Sequence, residues 1–230
     1  VVPGPNFLKS LGMVNEIINF SVPLLNSLFV ASVVALSQVF FSTLAGFAFA
    51  KLRFRGKGPL FIFILATMTV PTGLGIIPFY FLMSNLGLIN TLASVILPGL
   101  TTAFGVFWMR QTIDGGVPDE LIEAAKIDGA TPFQIFWQIF VPLSAPVLAV
   151  TALLSFIGTF NEFILARLFL VDMESRTVAV GLQQFIGGQY SQNWGPFAAG
   201  SILASIPIVI IFLSLQKYIV SGLTAGSVKG

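Results

Sequence analysis

Between Gly58 and Met109 the chain runs for 52 residues without a single Asp, Glu, Lys or Arg, and another uncharged run extends from Leu24 to Ala50. A water-exposed surface cannot be built from such stretches, whereas a lipid bilayer favours them. An α-helix needs roughly 20 apolar residues to cross the hydrocarbon core, so the 52-residue run is too long for one crossing. The cluster of turn formers "SNLGLINT", residues 84–91, supplies the break. The sequence therefore predicts an all-α integral membrane bundle, a single transmembrane domain with five spans. These lie at about 24–50, 59–83, 92–108, 143–165 and 197–215, with Pro71 and Pro78 as kink points in the second. Only 9% of the residues are charged, against about 25% in an average soluble domain. The stretch "QQFIGGQYSQNWGP", residues 183–196, is too polar for a crossing and reads as part of a loop over 166–196, with one short helix at most.

Several chemistries are excluded or disfavoured. The chain has no Cys and no His, so Cys-based zinc sites, disulfides and the commonest general base are absent. The net charge of +2 comes from scattered basic residues, not the basic face that nucleic-acid binding requires. No phosphate-binding Gly-x-x-x-x-Gly-Lys-Ser/Thr occurs; the nearest fragment, "RFRGKGP" at 53–59, lacks the first Gly and the hydroxyl residue. No Asp, Glu, Lys or Arg lies in the interior of any predicted span, Glu162 falling at the outer end of the fourth. Such residues mark proton relays and charged-substrate paths, and their absence fits an uncharged, hydroxyl-rich solute. The neutral polar residues within the spans, Gln38, Thr151 and Ser155 among them, read as bonds to backbone carbonyls and as glue between helices.

Lys51, Arg53, Arg55 and Lys57 form the strongest basic cluster. By the positive-inside rule the loop after the first span is cytoplasmic. Alternation then places 110–142 and the C-terminus inside and 166–196 outside. Residues 1–22 fall outside with nothing ahead to carry them across, and the first residue is Val. These observations predict one additional span ahead of Val1.

Seven of the twenty charged residues crowd into Arg110–Asp128. Within the predicted cytoplasmic loop 113–142, Pro118 suits a first helical position, and Asp119 and Glu120 follow in the first turn, where the helix dipole favours acids. The helix runs through Ile127 and stops at Asp128-Gly129, with Gly129 in a left-handed conformation. A second helix starts with Thr131 as N-cap, Pro132 at its first position and Gln134 completing a capping box. Phe133, Phe136, Trp137 and Phe140 then form one aromatic stripe, which predicts an interfacial helix with its rings in the acyl boundary. The small Ala124 and Ala125 beside Glu123 permit close docking by a partner.

The spacing Glu123-Ala124-Ala125, three residues, Gly129, nine residues, Ile139, one residue, Val141-Pro142 resembles the signature of the permease subunits of binding-protein-dependent ABC importers, with Val141 in place of Leu. The segments "IDGA" (127–130), "NSLFVAS" (26–32), "KLRFRGKG" (51–58), "NEF" (161–163) and "GLTAGSVKG" (222–230) are similar to the maltose-type carbohydrate permeases, in the sense of their smaller permease subunit. The last of these suggests an intact C-terminus. Members of that family usually carry six spans. The resemblance implies that the cytoplasmic loop 113–142 carries a coupling helix gripped by a cytoplasmic ATPase, with Glu123, Ala124, Ala125, Asp128 and Gly129 at the contact. It further implies that the chain binds no cofactor itself and that ATP and Mg belong to partner ATPase subunits. The implied partners are a second homologous permease, two ABC ATPases, an extracytoplasmic sugar-binding protein and membrane lipid, with no nucleic acid. The implied location is a bacterial or archaeal inner membrane. The implied activity is sugar or oligosaccharide import by alternating access. Rival readings are an ABC permease for another neutral solute and an ion-coupled secondary transporter.

Outside the loop, Asn161 and Glu162 read either as polar groups at an interface or as a gate. Tyr190, Gln192, Asn193 and Trp194 read either as a packed loop or as a contact for the binding protein, since the corresponding loop of the relatives approaches that protein. Arg53 and Arg55 are inside anchors or partner contacts.

Overall fold

The computed structural model describes residues 6–187 and 193–227. Every element among them is a helix. In chain order they are α1 (Phe7–Ile18), α2 (Ser21–Lys51), α3 (Lys57–Met68), a 3-10 turn (Thr72–Gly75), α4 (Ile76–Asn85), α5 (Ala93–Gly99), α6 (Ala103–Gly116), α7 (Asp119–Ile127) and α8 (Pro132–Ile135). A π turn (Phe136–Phe140) leads into α9 (Val141–Leu143), followed by α10 (Ala145–Phe160), α11 (Ile164–Phe169), α12 (Val178–Gly187) and α13 (Trp194–Ser227).

Three stretches are long and apolar enough to cross a membrane unaided: Ser21–Lys51, Ala93–Gly116 and Trp194–Tyr218. Two further pairs qualify only together: Lys57–Met68 with Gly73–Asn85, and Pro132–Leu143 with Ala145–Phe160, the latter bent by 79°. The second expected span is thus two pieces separated at Pro71. Pro78 does not kink it, because it falls in the first turn of α4, where its missing N–H is no loss. The third expected span is interrupted at 100–102 and then continues past Trp108 to Gly116, through Arg110 and Asp114. The fifth begins three residues early and runs on to Ser227. The 183–196 stretch is not mainly loop, since α12 reaches Gly187 and α13 starts at Trp194.

Contacts divide the chain into two compact units. The first draws on segments 1–33, 75–98 and 156–213. Here α1 is amphipathic, with Val14 and Ile18 buried and Lys9 and Glu16 exposed. It ends at Asn19, which takes a left-handed backbone (φ 44°) and donates its N–H to the Asn15 carbonyl at 3.1 Å. Asn90, also left-handed, donates its N–H to the Phe169 carbonyl, and its Oδ1 accepts from the N–H groups of Val171 and Asp172 at 2.7 and 3.1 Å. Ser27 Oγ accepts from the Val178 N–H at 2.8 Å, while Asn26 Nδ2 donates to the carbonyls of Glu174 and Arg176. Two adjacent α2 side chains therefore tie down the start of α12.

The second unit draws on 34–74, 99–155 and 214–230. Its α2 and α6 cross so closely that a Cβ on Gly46 would lie 2.7 Å from Met109 Cβ and 2.9 Å from the Arg110 backbone nitrogen. Small residues let helix backbones approach in this way. The interruption at 100–102 frees carbonyls that α2 recaptures. Gln38 Nε2 donates to the Gly99 carbonyl at 2.8 Å, and Ser37 Oγ donates to that of Leu100 at 3.0 Å. Ser155 Oγ then donates to Gln38 Oε1 at 2.7 Å, joining α10 to the same junction. This is the glue role expected of Gln38 and Ser155. Backbone freed within an apolar layer must find such partners.

Candidate functional site

The charge-rich helix α7 lies wholly within the second unit and is built from both ends inward. Pro118 (φ −58°, ψ 137°) is the N-cap rather than the first helical residue, a shift of one position. Asp119 and Glu120 occupy the first turn and Lys126 the last, each at the end of the dipole it complements. At the C-terminus the Gly129 N–H bonds to the Lys126 carbonyl at 3.1 Å and the Ala130 N–H to that of Ala125 at 2.9 Å. These are the paired bonds of a Schellman motif, which needs a left-handed residue. Gly129 supplies it, at φ +81°.

The next helix begins two residues later. Thr131 Oγ1 accepts from the Gln134 N–H at 3.3 Å, and Gln134 Oε1 accepts from the Thr131 N–H at 2.8 Å. This reciprocal capping box is the one the sequence predicts. The helix then widens into the π turn, a device found often at functional sites, and turns by 79° after Leu143 into α10.

Two connections fasten α7 to the helices around it. The side chain of Lys51, the last residue of α2, is only 4% exposed; its Nζ donates to the Val117 carbonyl at 2.8 Å and pairs with Asp119 Oδ1 at 2.6 Å. The Lys51 hydrogen bond, reinforced by its charge, holds the Asp119 carboxyl below the ordinary value of 3.8. The second connection is apolar. Ile122 and Ala125 are buried in one cluster with Phe47 of α2, Met109 and Ile113 of α6, Val117, and Ile135, Phe136 and Phe140 beyond the turn. Phe47 meets Phe136 and Phe140 at ring-centroid distances of 5.5 and 5.4 Å. Burying a ring of this size contributes about 1.5–3 kcal/mol.

This packing corrects two expectations. Ala125 is not available for docking, because it faces the cluster. The outward face instead carries Glu123, Ala124, Lys126, Asp128 and Ile127, the last 86% exposed. Nor do the four rings share one environment, since Phe136 and Phe140 are buried in protein while Phe133 and Trp137 are exposed. At about 100° per residue the four positions span a stripe about 100° wide, wide enough for its two i,i+4 rows to face different ways. Trp137 stacks on Phe40 of α2 at 6.4 Å. Pro142 sits in α9, just before the bend.

The remaining described candidates belong to the first unit. Asn161 Nδ2 donates to the Ile157 carbonyl at 2.9 Å, and Glu162 Oε1 accepts from the Leu165 N–H at 2.6 Å. Both side chains thereby finish α10 and start α11. Asn193 donates its N–H to the Phe185 carbonyl at 2.8 Å, and Trp194 is exposed with its ring edge-on to Phe197. Tyr190 and Gln192 lie outside the described residues. Sequence reasoning treated Lys51 only as an anchor and missed the socket of Phe47, Met109, Ile113 and Ile122. The spacing of Ile122 and Ala125, three apart on a charged helix, is the signal that could have disclosed it.

Apolar helices long enough to cross a membrane, with a short charged helix packed against α2 and α6, define a membrane-embedded component. The chain belongs to the family of binding-protein-dependent transport system inner membrane components, whose model matches residues 38–225. It is 43% identical over 215 residues to the maltose/maltodextrin transport system permease protein MalG of Photorhabdus laumondii, covering 89% of this chain and 71% of the relative. It is 40% identical over 227 residues to the trehalose/maltose transport system permease protein MalG of Thermococcus litoralis (98% and 81% covered). The arabinooligosaccharides transport system permease protein AraQ of Halalkalibacterium halodurans is 36% identical over 205 residues (89% and 73% covered). Among solved structures, a bacterial ABC transporter involved in import of the acidic polysaccharide alginate matches with a TM-score of 0.78 and 28% identity, covering 91% of this chain and 78% of that one.

Proposed function

We propose that the chain is a permease subunit of an ATP-driven importer that moves a sugar or oligosaccharide, delivered by an extracytoplasmic binding protein, across the inner membrane by alternating access. ATP and Mg are bound by two separate ATPase subunits, and a second homologous permease completes the pore. Loop 52–56, α7 and the C-terminus face the cytoplasm, following the basic cluster after α2. The named relatives, whose printed substrates are maltose, maltodextrin, trehalose and arabinooligosaccharides, support the saccharide class.

The observation that carries the reading is the attachment of α7. One face is exposed and the other is fixed into α2, α6 and the segment that bends into α10. An ATPase that grips the exposed face more tightly in one of its states shifts the permease between its own two states by that difference in binding and no more. Glu123 supplies the polar contact, Ala124 and Ile127 the close-packed surface, and Gly129 the bend.

The test is disulfide trapping in the assembled transporter, with cysteines introduced one at a time on α7 and in the ATPase. Ala124→Cys and Ile127→Cys should trap the ATPase with a yield that changes on ATP binding, while Ala125→Cys should not. Trapping from Ala125 alone, or none from the exposed face in a transporter that still takes up the sugar its binding protein delivers, refutes the coupling role.

A further inference from the structure

A cavity of about 260 Å³ lies among Phe49 near the end of α2, Lys57, Gly58 and Phe61 at the start of α3, and Arg110 on α6. At about 30 Å³ per water it has room for well more than a lone phosphate. Two of its five lining residues are cationic and none is acidic.

Neither cation is fully engaged. The Arg110 guanidinium carbon sits 4.0 Å above the Phe61 ring. Its nearest acid, Asp114 one turn on, is 3.8 Å from Nη2, beyond hydrogen-bonding reach. Its Nε is buried without an acceptor, an arrangement that costs free energy until an acceptor arrives. The Lys57 ammonium donates to the carbonyls of Ala50 and Leu52 at 3.2 and 3.1 Å, leaving one of its three donors over. Arg53 and Arg55 nearby are exposed, and no ion pair among the described residues includes them.

The walls are apolar. Phe49 and Phe61 pack with Val106 and, around it, Ala45, Ile64, Leu65 and Phe107. Next to Phe61 on α3, Leu60, Ile62 and Phe63 are exposed. A soluble anion needs charge but no aromatic walls and no greasy flank; an amphiphile with an anionic head needs all three. The cavity also sits where the uncharged run of α2 gives way to basic residues, which is headgroup level.

We infer that this cavity binds the phosphate and glycerol of one anionic phospholipid, with Arg110 and Lys57 on the phosphate and the acyl chains lying along the exposed side chains of α3. The phosphate supplies Arg110 with an acceptor closer than Asp114, which at 3.8 Å is beyond hydrogen-bonding reach.

The assembled transporter, exchanged into nanodiscs of phosphatidylcholine with phosphatidylglycerol, is analysed by native mass spectrometry for retained lipid. The wild type should retain phosphatidylglycerol in preference to phosphatidylcholine. Arg110→Gln and Lys57→Gln should each weaken the tightest site about fivefold, one cation's attraction for an anionic headgroup. The double variant Arg53→Gln/Arg55→Gln, outside the cavity, should keep it. The two cavity variants lie on different helices, so failure of one to assemble leaves the other as the readout. Equal retention of the two lipids by the wild type overturns the proposal. So does an equal loss in the double variant, which would signify diffuse attraction. Displacement of the lipid by equimolar inorganic phosphate would mark a free-phosphate site instead and equally overturn it.

Discussion

The ammonium of Lys51 lies 2.6 Å from Asp119 Oδ1 and, through the neighbouring Val117 carbonyl, grips the entry to α7 a second time. Because two acceptors share one donor group, the two partners are not equivalent. Lys51→Met removes both bonds and should reduce ATP-driven uptake at least about tenfold at matched membrane levels. Asp119→Asn keeps the Val117 bond and a neutral acceptor, and should cost about threefold or less, in keeping with the small worth of an exposed pair. Equal losses in a vesicle uptake assay would contradict this ranking.

The same pair fixes a pH dependence. Asp119 has a lowered carboxyl pKa in the folded chain, chiefly through the Lys51 hydrogen bond and then its charge. A depressed carboxyl contributes fully above its unfolded value and loses the contribution as pH falls through the folded one. The ratio of wild-type to Asp119→Asn uptake should therefore be flat from about pH 5 to 8, both limits lying above the ordinary carboxylate range. A step in that ratio near neutrality would show that another group titrates with α7.

Gly129 has φ +81° and open space where a side chain would project. Gly129→Ala thus meets only backbone strain, about 1–2 kcal/mol, and should transport measurably. Gly129→Pro cannot reach positive φ and also forfeits the bond to the Lys126 carbonyl. It should abolish uptake while inserting normally, as judged by immunoblotting of membranes. Full uptake by the proline variant would remove the turn from the mechanism.

The split aromatic stripe gives a stability contrast. Phe136→Ala empties a buried position and should cost about 3–5 kcal/mol. Phe133→Ala, at an exposed position, should stay within about 0.5 kcal/mol. Thermal unfolding midpoints of the purified assembly measure both, and similar shifts would disprove the division of the four rings.

Gly46 offers a third kind of site. Any side chain there meets backbone of α6, not the end of a flexible neighbour. Gly46→Val should lower the same unfolding midpoint markedly, whereas Gly58→Ala, which meets nothing within 4 Å, should not.

Much of α7 and the turn after it could be read from the chain because local chemistry decides them. Proline, two acids, a positive-φ glycine and a Thr–Gln box each act within a few residues. The faces could not be read, because tertiary packing decides them. Ala124 and Ala125 are indistinguishable by composition, and only the position of Phe47, Met109 and Ile113 turns one inward. Proline itself marks the break at Pro71, but spans defined by missing charge say nothing of the break at 100–102, where a backbone carbonyl is rescued by a residue as distant in sequence as Gln38. Helix α1 is hidden in the sequence for a different reason: its apolar face is too short to look like a crossing, although Val14 and Ile18 keep helical spacing with Asn19 as a stop.

The π turn at Phe136–Phe140 takes up one residue more than an α turn would over the same rise. Side chains downstream keep the facing they would have in a chain shorter by one. This stretch can therefore absorb a one-residue deletion without re-aiming Pro142 or α10. The same deletion inside α10 would swing every later position by about 100°. Tolerance to length change and control of direction are in this way assigned to different places along a single polypeptide.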